Sequence, residues 1–170
     1  MAGSYHGEER MAKALWARAT LAAALMPGMV AGVIPAWLVR RSPGPPLPLG
    51  ALHWLGIPVA LAGLGVLLVT IVAFATRGHG TLAPWDAPTT LVHGGLYRHT
   101  RNPMYLGVLG LLLGQALWWA SGGVLLYAGV VAVAFQVRVI TYEEPALARQ
   151  FGEAYAAYRA RVPRWLPWHG

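Results

Sequence analysis

The residues best suited to chemistry lie between Gly95 and Gly107, where the sequence reads GLYRHTRNPMYLG. Two arginines, Arg98 and Arg101, directly precede a long apolar run that begins at Pro103. Proline is tolerated in the first turn of a helix, where its missing N–H has no intrahelical partner, so Pro103 predicts a helix start. The positive end of that helix beside two arginines predicts an anion site, with Tyr105 on the first turn.

A second polar cluster, Thr141-Tyr142-Glu143-Glu144-Pro145, follows the next apolar run. Carboxylates at the end of an apolar helix are by default a solvated terminus. However, the runs 103–119 and 122–140 are separated only by Ala120 and Ser121. Helices joined so tightly are antiparallel neighbours, so we expect the carboxylates to return to the arginines.

These clusters together resemble a family, the membrane methyltransferases that include isoprenylcysteine carboxyl methyltransferase and the phospholipid N-methyltransferases. The likeness covers roughly the last ninety residues, at spacings that several short motifs seldom share by chance. Many members carry histidine before the proline, where this chain has asparagine. The matching residues are Gly95-x-Tyr97-Arg98, Arg101-Asn102-Pro103-x-Tyr105, Glu143-Glu144, Phe151-Gly152-x-x-Tyr155-x-x-Tyr158 and Val162-Pro163-Arg164.

The resemblance implies S-adenosylmethionine as the cofactor, with a lipid or other lipophilic acceptor. The cofactor's carboxylate would bind at Arg101 and the helix start, and its ammonium at Glu143 or Glu144, while Tyr105 would contact its sugar or amino-acid end. Glu144 is favoured for the ammonium, because at the adjacent Pro145 the chain is expected to bend away from a straight helix and let this side chain turn toward Arg101. The catalytic residues implied are Arg101, Tyr105 and Glu144. The cofactor-binding residues implied are Gly78, Gly80, Tyr97, Arg98, Arg101, Asn102, Pro103, Tyr105, Glu143 and Glu144.

Composition indicates a membrane protein. Of the 170 residues, 56% are hydrophobic and only 11% are charged, whereas about a quarter of the residues of a soluble protein are charged. The net charge of +7 does not indicate nucleic-acid binding, because the basic residues flank apolar runs and form no solvated face. The chain has no cysteine, which excludes disulfides and thiolate metal sites.

Metal binding through histidine is not expected either. His79, His93 and His99 match no ligand spacing, and the carboxylate near them in that loop is Asp86.

We therefore predict an all-α integral membrane protein, a single domain over residues 1–170, with about four transmembrane helices and a C-terminal amphipathic helix packed at the cytoplasmic face. Pro27 and Pro35 should kink the first span or tie it to its neighbours. Small residues in the second span, Gly56, Gly63 and Gly65, should allow close helix approach. The predicted spans are 14–39, 49–75, 103–119 and 122–140, and the C-terminal helix is 145–161.

The distribution of cations predicts the orientation. Eleven of the thirteen basic residues lie on or near one side of a four-span arrangement, and only Arg40 and Arg41 lie on the other. By the positive-inside rule, both termini and the 76–102 loop are cytoplasmic, and so is the site. We expect the bacterial inner membrane as the location.

Two other classes of function remain open. One is a membrane reductase of the steroid-reductase kind that uses NADPH. Such a protein needs more spans and a basic pocket for the phosphate, which the Glu-Glu pair of this chain would repel. The other is a non-enzymatic membrane scaffold, in which the polar clusters are only anchors. Within the methyltransferase interpretation, the acceptor, an isoprenylcysteine-type carboxyl or a phospholipid amine, stays open, as does the need for a general base.

Overall fold

The computed structural model describes residues 27–41, 44–73, 76 and 90–166. This part of the chain is helical and contains no β-strand, which confirms the predicted all-α class for it. Short π-helical turns (Met29–Val33 and Val139–Glu143) and 3-10 turns (Gly50–Leu55 and Gly95–Arg98) adjoin the helices. The α-helices are α1 (Ile34–Arg41), α2 (Gly56–Ala73), α3 (Pro103–Trp118), α4 (Gly122–Arg138) and α5 (Glu144–Arg161).

Within the described residues, two helical stretches are long and apolar enough to cross a membrane, Gly50–Ala73 with 24 residues and Gly122–Arg161 with 40. In the most apolar 18 residues of each stretch, only 22% and 17%, respectively, are buried, whereas the core helix of a soluble protein is mostly buried. The apolar side chains therefore face outward, as they do in a bilayer. The predicted third span, α3, is apolar but has 16 residues, or roughly 24 Å, which is short for a hydrocarbon core of about 30 Å. Most of the predicted first span lies outside the described residues.

Helices α2 and α3 pack backbone against backbone at glycines. A Cβ atom added to Gly63 would lie 2.5 Å from the backbone nitrogen of Leu111, and one added to Gly56 would lie 2.4 Å from that of Trp118. These two positions confirm the predicted close approach. The prediction was wrong for Gly65, where an added Cβ meets nothing within 4 Å, because two residues along a helix turn the side chain to another face.

The π-helical turn before Pro35 ties the first described helix to its neighbours. Pro35 has no N–H to donate, which leaves carbonyl groups one turn earlier without a helical partner. The side chain of Gln115 donates to the carbonyl of Ala31 at 2.7 Å, and the Tyr127 hydroxyl donates to that of Val30 at 3.2 Å. Pro35 thus connects the first described helix to α3 and α4, as expected.

A tight turn joins α3 to α4. It consists of Trp119, Ala120 and Ser121, and the Ser121 hydroxyl caps α4 by accepting from the backbone N–H of Val124 at 3.3 Å. Buried side chains of α2, α3 and α4 form the core beside this hairpin. The hairpin returns the end of α4 to the level at which α3 begins, which is where the polar residues lie.

The helical path continues past Pro145, where we expected it to bend. A π-helical turn, Val139–Glu143, directly precedes Glu144 and carries α4 into α5. The wider turn moves the proline ring away from the carbonyl that it would otherwise meet. The break falls instead at Gly152, whose φ of 51° and ψ of −123° are not helical.

Candidate functional site

The start of α3 has the form that the sequence predicts. Pro103 occupies its first turn and Asn102 is the N-cap residue, yet the Asn102 side chain makes no capping hydrogen bond. Its amide Nδ2 donates to the carbonyl of Arg164 at 3.0 Å. Asn102 therefore connects the helix start to the segment that follows α5.

The C-terminal segment, Val162–Arg164, docks along the residues that precede α3. The backbone N–H of Arg101 donates to the carbonyl of Pro163 at 2.9 Å, and the Thr100 hydroxyl donates to the carbonyl of Arg164 at 3.1 Å. With the Asn102 amide, three hydrogen bonds hold this segment in place. It is positioned to bring its own arginine side chain to the site.

Glu144 forms an ion cluster with two arginines. Its Oε1 lies 2.8 Å from Nη1 of Arg101 and 2.7 Å from Nε of Arg164, while its Oε2 accepts from Nη2 of Arg164 at 3.0 Å. The pair with Arg164 is bidentate, which fixes both the distance and the plane of the carboxylate. The side chains of Glu144 and Arg101 are each only 10% exposed, so this pair is shielded from water, whereas Arg164 is 29% exposed.

Burial by itself raises the pKa of Glu144, which lies beyond the apolar run of α4. The hydrogen bond from Arg164 and the charges of Arg101 and Arg164 outweigh burial and hold that pKa below its ordinary value. The hydrogen bond to Glu144 likewise raises the pKa of Arg164. One carboxylate between two guanidinium groups gives the cluster a formal net charge of +1.

Glu143 has a different set of partners. Its Oε1 accepts from the Tyr105 hydroxyl and from Nε of Arg138, the latter at 2.7 Å. The Tyr105 ring stacks on Phe135 with the ring centroids 4.2 Å apart, which holds the tyrosine against α4. Glu143 is 26% exposed and Arg138 is 40% exposed, so this pair is more open than the Glu144 cluster.

Tyrosines of α5 cover the arginine side of the site. The Tyr155 hydroxyl accepts from Nη1 of Arg101 at 3.3 Å, and the Tyr158 hydroxyl donates to the carbonyl of Tyr97 at 2.8 Å. Burial raises the pKa of Tyr97 well above its usual range, so its phenol stays neutral. Both contacts come from the part of α5 that follows the break at Gly152, which redirects the helix toward the start of α3.

A cleft of about 100 Å³ lies between these groups. Complete small-molecule pockets are usually larger, about 300–1,000 Å³. Nε of Arg101 is buried and has no hydrogen-bond partner among the described residues. The residues that line the cleft are Leu91, Val92, Tyr97, Arg101, Asn102, Met104, Tyr105, Val139, Glu143, Glu144, Leu147, Phe151, Tyr155 and Tyr158.

The structure brings together most of the predicted site residues in the described part of the chain. Pro103 is buried at the helix start and does not line the cleft. Arg98 is exposed and lies outside the cleft. Gly78 and Gly80 lie outside the described residues. Those that line the cleft are Tyr97, Arg101, Asn102, Tyr105, Glu143 and Glu144.

Besides the apolar residues of the cleft wall, sequence reasoning missed four polar side chains that bond to predicted site residues, namely Arg138, Tyr155, Tyr158 and Arg164. The motifs Phe151-Gly152-x-x-Tyr155-x-x-Tyr158 and Val162-Pro163-Arg164 already contained three of them. The sequence pattern identifies Arg138 only as a cation near the membrane. Its pairing with Glu143, five residues later, depends on the π-helical turn between them, which a regular helical period does not indicate.

These features define a class of protein: a helical membrane protein with a cleft of paired arginines and glutamates at the ends of its apolar helices. A family model described as phospholipid methyltransferase matches residues 52–154, more than half of the chain. The chain belongs to this phospholipid methyltransferase family, a family of enzymes, as the sequence motifs indicated.

A named relative points to the other branch of the resemblance. The chain is 37% identical over 78 residues to a protein-S-isoprenylcysteine O-methyltransferase of Schizosaccharomyces pombe. That match spans 45% of this chain and one third (33%) of the yeast protein. No solved structure matches the chain.

Proposed function

We propose that the protein transfers a methyl group from S-adenosylmethionine to a lipophilic acceptor in the membrane, an isoprenylcysteine-type carboxyl or a phospholipid amine. The observation that carries this proposal is the buried Nε of Arg101, which has no partner among the described residues and lies in a cleft that also holds the Glu143 carboxylate. A buried donor without an acceptor costs free energy unless a ligand supplies one. Membership in the phospholipid methyltransferase family supports the same reaction.

The charges of the cleft fit the amino-acid end of S-adenosylmethionine, which carries a carboxylate and an ammonium. Arg101 would hold the carboxylate beside the positive end of α3, and one of the two glutamates would hold the ammonium. Tyr97, Asn102 and Tyr105 lie within the same cleft. When bound, the cofactor supplies a methyl group activated by a sulfonium centre.

The residues of this chain would contribute alignment and exclusion of water. Methyl transfer is an in-line displacement that needs no covalent intermediate on the protein, so holding the two reactants at the correct distance and angle supplies most of the acceleration. Met104, Leu147 and Phe151 give the cleft an apolar wall. Such a wall keeps water from the reacting groups and strengthens the electrostatic contacts.

The site would lie at the cytoplasmic face of the bacterial inner membrane, with about four spans, both termini cytoplasmic and the C-terminal helix packed at that face. The cation asymmetry supports the orientation. The outward apolar surfaces of α2 and α4, for example Leu61 and Leu126 at 62% and 73% exposed, support contact with lipid. We infer that the acceptor reaches the cleft laterally from the bilayer.

Calorimetric titration of the purified full chain in lipid nanodiscs tests the cofactor. S-adenosylhomocysteine should bind and NADPH should not. Binding of NADPH alone would support the reductase, and binding of neither would support a scaffold.

A series of acceptors with increasing chain length tests the lipophilic acceptor. Each buried methylene is worth about 0.8 kcal/mol, so kcat/KM should rise roughly fourfold per methylene over a short series of chain lengths. A flat series would contradict a lipophilic acceptor.

A further inference from the structure

The two glutamates of the cleft use their oxygens unequally. Both oxygens of Glu144 accept hydrogen bonds from arginine, three bonds in all from Arg101 and Arg164. The bonds that Glu143 accepts from the described residues all fall on its Oε1. Its Oε2 accepts none from them. Glu143 therefore has one oxygen that can bind a ligand, whereas arginines engage both oxygens of Glu144.

The charges differ in the same way. Glu144 with Arg101 and Arg164 carries a net +1, whereas Glu143 with Arg138 is neutral. An ammonium group is repelled by the first cluster and is free to approach the second. A carboxylate is attracted to the first cluster, where no residue in the described part of the chain accepts from Nε of Arg101. The ends of a zwitterion are thus assigned to different clusters.

We propose that Arg164 is a positioning residue, which acts through Glu144 to hold Arg101 for the carboxylate of the methyl donor, and that Glu143 receives the donor's ammonium. This assignment rests on the proposed function and deepens it. It also gives Glu144 a role as a bridge between arginines, where the sequence alone favoured it as the ligand for the ammonium.

The geometry explains why Arg164 is needed. Its bidentate contact occupies Oε2 and part of Oε1 of Glu144, which leaves Arg101 bonded to Oε1 through Nη1 only. Without Arg164, the freed carboxylate can shift onto the edge of the Arg101 guanidinium that carries Nε. The cluster would also fall from +1 to neutral. Both changes remove the attraction for a carboxylate ligand and leave the Glu143 side unchanged.

The test compares three ligands on the full chain in nanodiscs by calorimetry: S-adenosylhomocysteine, its analogue without the carboxylate and its analogue without the amino group. Arg164→Ala should weaken S-adenosylhomocysteine by about tenfold or more and change the decarboxylated analogue by less than about twofold. Arg164→Lys, which keeps the charge without the planar fork, should recover part of the loss. Glu143→Gln should weaken S-adenosylhomocysteine and spare the deaminated analogue.

Arg161→Ala is the matched control, because Arg161 is an exposed arginine of the same C-terminal region. It should bind all ligands as the wild type does. Equal losses of both ligands in Arg164→Ala, or no loss, would overturn the positioning role. If Arg164→Ala does not fold, Arg164→Lys and Glu143→Gln decide by the same ligand comparison. A wild-type protein that binds none of the three ligands would contradict the proposed function itself, which separates the two failures.

Discussion

Arg101 and Glu144, 43 residues apart in the sequence, are joined by a 2.8 Å ion pair in which both side chains are only 10% exposed. The pair connects the start of α3 to the helix that follows α4. Breaking a buried pair by removing one partner is strongly destabilising, because the other charge is left without compensation. The pair therefore serves both the fold and the candidate site, and experiments on it need a ligand readout besides stability.

Arg101→Ala should weaken S-adenosylhomocysteine binding far more than Arg98→Ala. Arg101 lines the cleft, whereas Arg98 is exposed outside it. Loss of a charged hydrogen bond costs about 1.5–3 kcal/mol, or roughly ten- to 150-fold in affinity. Titration of both variants in the same nanodiscs measures the difference. Small and equal effects would indicate that both arginines only anchor the chain at the membrane.

Acid should weaken the contribution of Glu144 to stability. Because its pKa in the folded state lies below its ordinary value of 4.5, the stabilisation is present above that ordinary value and is lost as the pH falls through the lower folded value. The thermal midpoint of the wild type should exceed that of Glu144→Gln near neutral pH, and the gap should close in acid. Thermal unfolding of both proteins from about pH 7 to about pH 3 checks this. A gap that stays constant would show that the carboxylate charge does not matter.

Gly63→Ala should destabilise the packing of α2 on α3, and Gly65→Ala should not. The added methyl group at Gly63 would lie 2.5 Å from the backbone of Leu111, which cannot move aside as a flexible side chain can. Overpacking of this kind costs about 1–3 kcal/mol. At Gly65 the methyl meets nothing within 4 Å, so the better helix propensity of alanine should leave the midpoint equal or higher. The thermal midpoints of both variants, measured in one detergent, check this. Equal changes in the two midpoints would contradict the prediction.

Gly152→Ala should disturb the end of α5 through its backbone alone. Gly152 has a φ of 51°, and an added Cβ meets no atom within 4 Å. A strained backbone conformation costs about 1–3 kcal/mol, so α5 should straighten and withdraw Tyr155 from Arg101. Ligand affinity and thermal midpoint should both fall. Gly129→Ala, in the open surface of α4 at an ordinary φ, is the control and should leave ligand affinity unchanged and the midpoint equal or higher.

Single-cysteine labelling tests the proposed orientation, and the absence of native cysteine makes each label unambiguous. A membrane-impermeant maleimide applied to intact cells should label Pro48→Cys and not His93→Cys, both of which are exposed positions. Gly44 is unsuitable, because its φ is +70° and an added Cβ would lie 2.5 Å from the nitrogen of Gly123. Labelling of His93→Cys alone would show that the orientation is the opposite of the proposed one.

The amino-acid sequence by itself determined the local features of this protein. Proline at position 103 starts α3 because its missing N–H is harmless there, and apolar runs separated by Ala120 and Ser121 form an antiparallel pair because no other arrangement fits so short a turn. The motif spacing also indicated the family. Each of these depends on residues that are close in sequence, which is why they could be predicted.

Only the tertiary structure decided which charges meet. Side-chain pairing depends on the rotation of each helix about its axis. Each residue along a helix points about 100° away from the one before it, measured around that axis. The π-helical turn Val139–Glu143 inserts an extra residue before Pro145, so Glu143 turns toward Arg138 and Glu144 toward Arg101 and Arg164. The rotation likewise separated Gly63 from Gly65. It follows from packing between distant segments, which no local pattern in the sequence specifies.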